Sequence, residues 1–227
     1  MIRMNRVVVV ILSLLGLSMA SSDKNSNCLE WAEQGECDHN PGYMLRDCAE
    51  SCRRVYEIQE DQSARVRSIS SFFDLEASDI YGHPFSFASL RGKVTVIVNV
   101  ASHCGYTESH YHGLVQLWSS VREDPVQILA FPCNQFGKQE PGTAQEIVDF
   151  AKSKGVEFTM MEKIDVNGPT TSLVYLYLKS KTDVTAIRWN FATYFIVSPE
   201  GDVTAHTGVE PMDLKPTILE LLGKEEL

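Results

Sequence analysis

Val94-Thr95-Val96-Ile97-Val98-Asn99-Val100, running on into Ala101-Ser102-His103-Cys104-Gly105-Tyr106-Thr107, decides the fold. The first seven residues are nearly all β-branched and lack polar alternation, the pattern of a central strand buried on both faces. Downstream, Leu114, Leu117, Trp118 and Val121 recur at i, i+3, i+4 and i+7, which predicts a helix beginning near Thr107 with one buried face. Gln127 to Phe131 returns to strand character, completing a strand-helix-strand crossover. Thr143 and Glu146 form a capping box that opens a further helix, with Ala144, Ile147, Val148 and Ala151 as its inner stripe. A third helix carries Val174, Tyr177 and Leu178. Tyr194 to Val197 and Val203 to His206 then surround Pro199-Glu200-Gly201-Asp202, a hairpin signal, and Leu214, Ile218, Leu221 and Leu222 end the chain on a helix. Upstream, Phe72 to Leu75 and Pro84 to Phe87 flank Tyr81-Gly82-His83, which predicts another hairpin. Together these elements imply an α/β fold, a mixed central sheet covered by helices on both faces, in the thioredoxin-like layout.

The rest of the chain is organised differently. Arg3 and Arg6 precede the apolar run Val7 to Leu12, continued by Leu14, Leu15 and Leu17, and Ser18-Met19-Ala20 supplies small residues at a cleavage site. Residues 1–20 are therefore expected to be a signal peptide, since a transmembrane helix needs about 20 apolar residues. Its removal would take away two arginines and no acid, moving the net charge from −10 to −12. With that acidity and no basic run, a nucleic-acid partner is not expected. At the other end, Lys224-Glu225-Glu226-Leu227 is similar to the Lys-Asp-Glu-Leu retrieval signal. The expected location is the lumen of the endoplasmic reticulum or the exterior, both of which permit disulfides. Four of the six cysteines, Cys28, Cys37, Cys48 and Cys52, are crowded into one short segment that cannot bury enough surface to fold without crosslinks. The stretch from Arg53 to about Arg67 is polar, lacks an apolar period and reads as a linker. The expected organisation is thus a leader at 1–20, a disulfide-rich module at 21–55, a linker at 56–67 and one larger domain at 68–227.

Within that module, Cys28-Leu29-Glu30-Trp31-Ala32-Glu33-Gln34-Gly35-Glu36-Cys37, Asn40-Pro41-Gly42-Tyr43-Met44 and Cys48-Ala49-Glu50-Ser51-Cys52 resemble the ShKT domain, a family named for a sea-anemone potassium-channel toxin. The family normally has six cysteines. Its first and last, which pair with each other, fall here on Ser21 and Val55, so one whole bridge is missing. The resemblance implies that the remaining pairs are Cys28 with Cys48 and Cys37 with Cys52. The toxins block channels with a Lys-Tyr pair, whereas Gly42 precedes Tyr43 here, so a protein-docking or tethering role is expected instead.

The two remaining cysteines lie in the larger domain. Cys104 follows the central strand and precedes a helix, where backbone amides and the helix dipole favour a thiolate. In Cys104-Gly105-Tyr106-Thr107 a threonine stands where thioredoxins carry their second cysteine, so dithiol exchange within one motif is lost. A lone thiolate suits attack on an O–O bond, and a packed core thiol is the alternative; these residues alone leave both open. Asn99-Val100-Ala101-Ser102-His103-Cys104-Gly105, Phe131-Pro132-Cys133-Asn134-Gln135-Phe136-Gly137-Lys138-Gln139-Glu140-Pro141-Gly142 and Trp189-Asn190-Phe191 resemble, in order and spacing, the three signature blocks of glutathione peroxidases.

The resemblance covers about residues 68 to 222. It implies that Cys104 takes the place of the peroxidatic cysteine or selenocysteine, and that Gln139, Trp189 and Asn190 complete a catalytic tetrad; the sequence itself offers no metal-ligand cluster, and no cofactor is expected. Asn134 and Gln135 are expected to make loop hydrogen bonds, and His103 to be a solvated loop residue. Thioredoxin-dependent members carry a resolving cysteine in the helix after the glutamine block, but Glu146 to Gly155 contains none. Cys133 is the remaining candidate; a one-cysteine cycle with an external dithiol is the alternative. Glu108 near Cys104 and the overall acidity argue against glutathione as the reductant, and the short Pro169 to Arg188 stretch points to a monomer.

These features resemble an endoplasmic-reticulum branch of the family whose members oxidise protein disulfide isomerase. The expected function is reduction of hydrogen peroxide or organic hydroperoxides through a sulfenic acid, with protein disulfide isomerase, thioredoxin or glutathione as donor. The competing reading is a secreted binding module whose ShKT-like segment docks a partner and whose peroxidase-like domain is a redox sensor or inactive.

Overall fold

A computed structural model describes residues 23–224. The expected leader at 1–20 and the last three residues of the retrieval-like tail lie outside the described residues; Lys224 pairs with Asp124. No described helix is long and apolar enough to cross a membrane. The chain divides into two compact units that meet in sequence at Tyr56 and Glu57.

The first unit is helical: α1 (Cys28–Glu33), α2 (Glu36–His39), α3 (Pro41–Asp47) and the start of α4 (Ala49–Arg67). Its core is small, consisting of Ala32, Met44, Val55 and the four cysteines, with Trp31 and Tyr43 packed against it. Disulfides join Cys28 to Cys48 and Cys37 to Cys52, the pairing that the ShKT resemblance implies. Asp23 caps α4 from a distance: its Oδ1 accepts the N–H groups of Glu50 and Ser51 at 3.1 and 3.2 Å, two first-turn amides that have no intrahelical partner.

The stretch read as a linker is helical, because α4 continues unbroken to Arg67. Its residues are mostly good helix formers, and Arg67 pairs with Glu60 at 2.8 Å. Gln62 donates to the carbonyls of Gly168 and Pro169 at 2.9 and 3.0 Å. A helix held by propensity and polar contacts leaves no apolar period to read.

The second unit is built on a five-stranded sheet in the order β5-β4-β3-β6-β7, comprising β3 (Val94–Val100), β4 (Val126–Pro132), β5 (Thr159–Met160), β6 (Thr193–Val197) and β7 (Val203–Thr207). β3, β4 and β5 are parallel, and β6 and β7 run antiparallel, so the sheet is mixed. Every residue of β3 is buried, as a strand covered on both faces requires.

One face carries Val94, Val96, Val98 and Val100 against α5 (Thr107–Val121), α6 (Ala144–Ser153) and α8 (Lys215–Leu221). The other carries Ile97, Leu129 and Phe131 against α7 (Leu173–Ser180) and the aromatic cluster of Phe72, Phe73 and Phe87. The period-2 alternation of β3 and β4 thus feeds two separate cores.

The upstream hairpin pairs β1 (Glu76–Ser78) with β2 (Pro84–Ser86). Phe72 to Leu75, expected as its first strand, forms a 3-10 turn over Phe72–Asp74, with the Ser71 hydroxyl accepting the Phe73 N–H at 3.3 Å. Both phenylalanines are buried, so they anchor the core instead of alternating across a pleat. The capping box of α6 is present: Glu146 accepts the Thr143 N–H at 2.7 Å, and Thr143 Oγ1 accepts the Glu146 N–H at 3.4 Å. Two residues of the expected inner stripes, Ala144 and Leu221, are exposed.

Candidate active site

Cys104 lies in the loop between β3 and α5, and Thr107 closes that loop. Its hydroxyl oxygen accepts the Cys104 N–H at 3.0 Å and donates to the Ala101 carbonyl at 2.7 Å. The threonine that replaces a second cysteine therefore fixes the geometry of the first. The sulfur is mostly shielded, with Cys104 7 % exposed, and the Tyr106 N–H points at Sγ from 3.5 Å. Such a bond strengthens as the sulfur gains negative charge.

Thr107→Val keeps the side-chain shape but leaves a buried donor and a buried acceptor without their partner. It should cost about 1–3 kcal/mol in denaturant unfolding and slow the reaction of reduced protein with peroxide by about tenfold or more through loss of alignment. Unchanged stability and rate would show that the hydroxyl does not hold the loop.

Gln139 reaches the same place through a tight turn. Gly137 and Lys138 both have left-handed backbones, with φ of +60° and +54°, and for the lysine this conformation costs about 1–2 kcal/mol. Two hydrogen bonds hold the turn: Gln139 N–H to the Phe136 carbonyl at 3.2 Å, and His103 N–H to the Gln139 carbonyl at 3.0 Å. The second ties the glutamine block to the residue before Cys104. Gln139 Oε1 is buried with no hydrogen-bond partner among the described residues.

Asn99, on β3, gathers the third block. Its Nδ2 donates to Asn190 Oδ1 at 2.9 Å and to the Trp189 carbonyl at 3.3 Å, while its carbonyl accepts the Phe191 N–H at 2.8 Å. Phe191 is forced to a φ of +63°, and its ring is packed near those of His110 and Tyr111, 5.4 and 5.5 Å between centroids. A bulky residue in this region is uncommon and persists only where its surroundings over-determine it. Asn190 is fully buried, yet its Nδ2 has no acceptor among the described residues. Trp189 is 38 % exposed and lies against Phe136, ring centroids 5.6 Å apart. Cys104, Gln139, Trp189 and Asn190 are thus all registered against the C-terminal end of β3.

Cys133 is placed elsewhere. It is fully buried in the core on the opposite sheet face from Cys104, with Phe131, Met161 and Tyr175. Burial pushes its thiol up to about 11, so it holds its proton at neutral pH. Both cysteines are free. The structure does not bring the candidate resolving thiol to the candidate nucleophile.

Asn134 and Gln135 make the loop hydrogen bonds expected of them. Asn134 Oδ1 accepts the Glu140 N–H at 2.8 Å, and Gln135 Oε1 accepts from Val166 and Asn167 at 2.8 and 3.0 Å. His103 has an exposed side chain. Glu108, expected to repel an anionic thiol, pairs with Lys154 at 2.5 Å, so its charge is locally offset. No group of three or more His, Cys, Asp or Glu among the described residues could hold a metal ion.

A family model for glutathione peroxidase matches residues 72–179, and a model for ShK domain-like sequences matches residues 21–54. Glutathione peroxidase-like peroxiredoxin 2 of Saccharomyces cerevisiae is 44 % identical over 162 residues, 68 % of this chain and 99 % of the yeast protein. Probable phospholipid hydroperoxide glutathione peroxidase 6, mitochondrial, of Arabidopsis thaliana is 41 % identical over 170 residues, 72 % of this chain and 73 % of the plant protein. Among solved structures, T. cruzi GPX1 superposes with a TM-score of 0.56 at 29 % identity, covering 70 % of this chain and all of that one.

Proposed function

The chain belongs to the glutathione peroxidase family, and from that membership we propose that it is a cysteine-dependent thiol peroxidase in which Cys104 is the nucleophile. The thiolate attacks the terminal oxygen of a hydroperoxide and the O–O bond breaks. Sulfur is oxidised to a sulfenic acid, and the departing hydroxide or alkoxide takes up a proton to leave as water or alcohol. The Asn190 amide and the Trp189 indole N–H are donors that do not titrate, and the Gln139 amide can donate or accept; together they hold the thiolate and stabilise charge on the leaving oxygen. The carrying observation is the convergence of the three sequence blocks on the end of β3 by the Asn99 and His103 hydrogen bonds.

The sulfenic acid is reduced from outside the chain. A donor thiolate attacks Sγ, the S–O bond breaks, the hydroxide takes up a proton and leaves as water, and a mixed disulfide forms; the donor's second thiolate then releases Cys104 as a thiolate and leaves the donor as a disulfide. Two observations support an external dithiol: α6 contains no cysteine, and Cys133 belongs to the opposite core. After limiting peroxide, peptide mapping under non-reducing conditions should find Cys104 oxidised with no Cys104–Cys133 bridge, and Cys133→Ser should turn over like the wild type. A Cys104–Cys133 bridge that forms at the rate of turnover would contradict the one-cysteine cycle.

The donor is a protein dithiol of the protein disulfide isomerase type, in the endoplasmic reticulum lumen or outside the cell. The signal-like leader and the net charge of −10 support this reading. The ShK-like unit then serves as the docking module of an active enzyme. Peroxide consumption with reduced protein disulfide isomerase, thioredoxin or glutathione as separate donors tests the choice: the isomerase should support the fastest turnover, and equal turnover with glutathione alone would overturn it.

A further inference from the structure

Glu140, next to Gln139, is a buried acid to which the chemistry above gives no role. It is 1 % exposed. Its Oε1 accepts the Ser102 hydroxyl at 2.8 Å, and its N–H is held by Asn134 Oδ1 at 2.8 Å. Its other oxygen, Oε2, is buried and has no hydrogen-bond partner among the described residues; nor has the buried hydroxyl of Tyr111 on α5. The Ser102 bond lies beside the one from His103 N–H to the Gln139 carbonyl, so two adjacent hydrogen bonds join the glutamine block to the two residues that precede Cys104.

We propose that Glu140 is a positioning residue of the peroxidase centre and works as a neutral carboxylic acid, setting the Cys104 loop through Ser102 while keeping negative charge out of the floor of the site. The inference rests on the peroxidase reading and deepens it. An ionised carboxylate with one oxygen facing the interior would be poorly solvated, and its charge would oppose a thiolate on the Cys104 loop, to which Glu140 is joined through Ser102, across a low-dielectric medium.

The groups around Glu140 do not reverse this preference. Burial is the largest influence and raises its pKa. The Ser102 hydrogen bonds and the charges of Lys163 and His103 pull the other way without overcoming it. Lys163 donates to the Gly142 carbonyl at 2.6 Å and forms no ion pair with Glu140. The remaining titratable neighbours, Tyr111 and Cys133, are both pushed up by burial and are neutral at physiological pH. Because the folded acid holds its proton more tightly than the unfolded one, wild-type stability falls as pH rises from the ordinary glutamate range toward the raised value.

The test compares wild type with Glu140→Gln, Glu140→Ala and Ser102→Ala in the full chain. Glutamine keeps the shape and an acceptor for Ser102 without a titrating proton. Infrared difference spectra at neutral pH should show a protonated-carboxyl band in wild type that Glu140→Gln lacks, and the fall in stability with rising pH should be smaller in Glu140→Gln. The rate constant with hydrogen peroxide should drop by roughly a hundredfold in Glu140→Ala and return to within about tenfold of wild type in Glu140→Gln, the scale of one altered hydrogen bond. Ser102→Ala should also be slowed, and decides the positioning role if Glu140→Ala does not fold.

Two results would overturn the inference: an infrared spectrum in which Glu140→Gln removes only carboxylate signal, or a Glu140→Gln protein as slow as Glu140→Ala. If wild type itself does not react with peroxide, the peroxidase reading fails, and the infrared and stability measurements still judge the protonation of Glu140.

Discussion

Cys104→Ser should lose peroxide-dependent oxidation of a thiol donor by about a thousandfold or more, the scale on which removal of a nucleophile is felt. The substitution is nearly isosteric, and the contacts that shape the loop are made by the backbone of residue 104 and by Thr107 and Ala101. The variant should therefore fold with unchanged stability, which separates loss of chemistry from loss of structure. A serine hydroxyl is scarcely ionised at neutral pH and does not form a sulfenic acid, so no slow substitute pathway remains. The assay is peroxide consumption with a reduced dithiol donor, alongside denaturant unfolding of both proteins. Equal turnover in the two would sink the enzymatic reading.

The largest effect on stability is expected in the first unit. Its core contains seven buried hydrophobic residues, and four of them are the bridged cysteines. So small a core supplies little of the free energy needed to order a segment of this length. The bridges span 20 and 15 residues, and each contributes about 3 kcal/mol by restricting the unfolded chain. Replacing all four cysteines by alanine should leave residues 23–56 unfolded at 25 °C. Amide exchange should become fast there, and mild proteolysis should remove the segment. The peroxide rate of the second unit should persist, because every residue assigned to the reaction lies after Glu57. Retained amide protection in the reduced or substituted segment would show that packing alone sustains it.

How much of this was readable from the chain depended on whether a residue's role left a pattern. β3 was legible to the residue because burial on both faces forbids polar alternation, and the α6 capping box because its two partners must stand three residues apart. The two disulfides followed from a family resemblance, since spacing alone allows other pairings. By contrast, β5 has two residues and no period, α4 is held together by polar contacts, and Phe72 and Phe73 anchor a turn with the residue types of a strand.

The candidate site divides in the same way. Cys104, Gln139, Trp189 and Asn190 stand in long recognisable blocks, whereas the residues that place them act through tertiary contacts. Asn99 opens the first of those blocks, but nothing in the sequence pointed to its bonds to Trp189 and Asn190, and Thr107 was read as the absence of a second cysteine. The sheet face of Cys133 was in principle readable by alternation along β4, where Phe131 and Cys133 share a side, but the loop carrying Cys104 has no such period to compare with it. The orphaned oxygen of Glu140 is visible only once the chain is folded.

The most direct measurement is a single turnover: the fully reduced chain mixed with one equivalent of hydrogen peroxide and no donor, followed by peroxide consumption and by mass analysis of the trapped peptides. One peroxide should be consumed per chain, and one oxygen should appear on the Cys104 peptide, trappable as a sulfenic acid, with Cys133 unmodified. Peroxide consumption no faster than that of Cys104→Ser, or oxidation that falls first on another residue, would contradict Cys104 as the peroxidatic nucleophile.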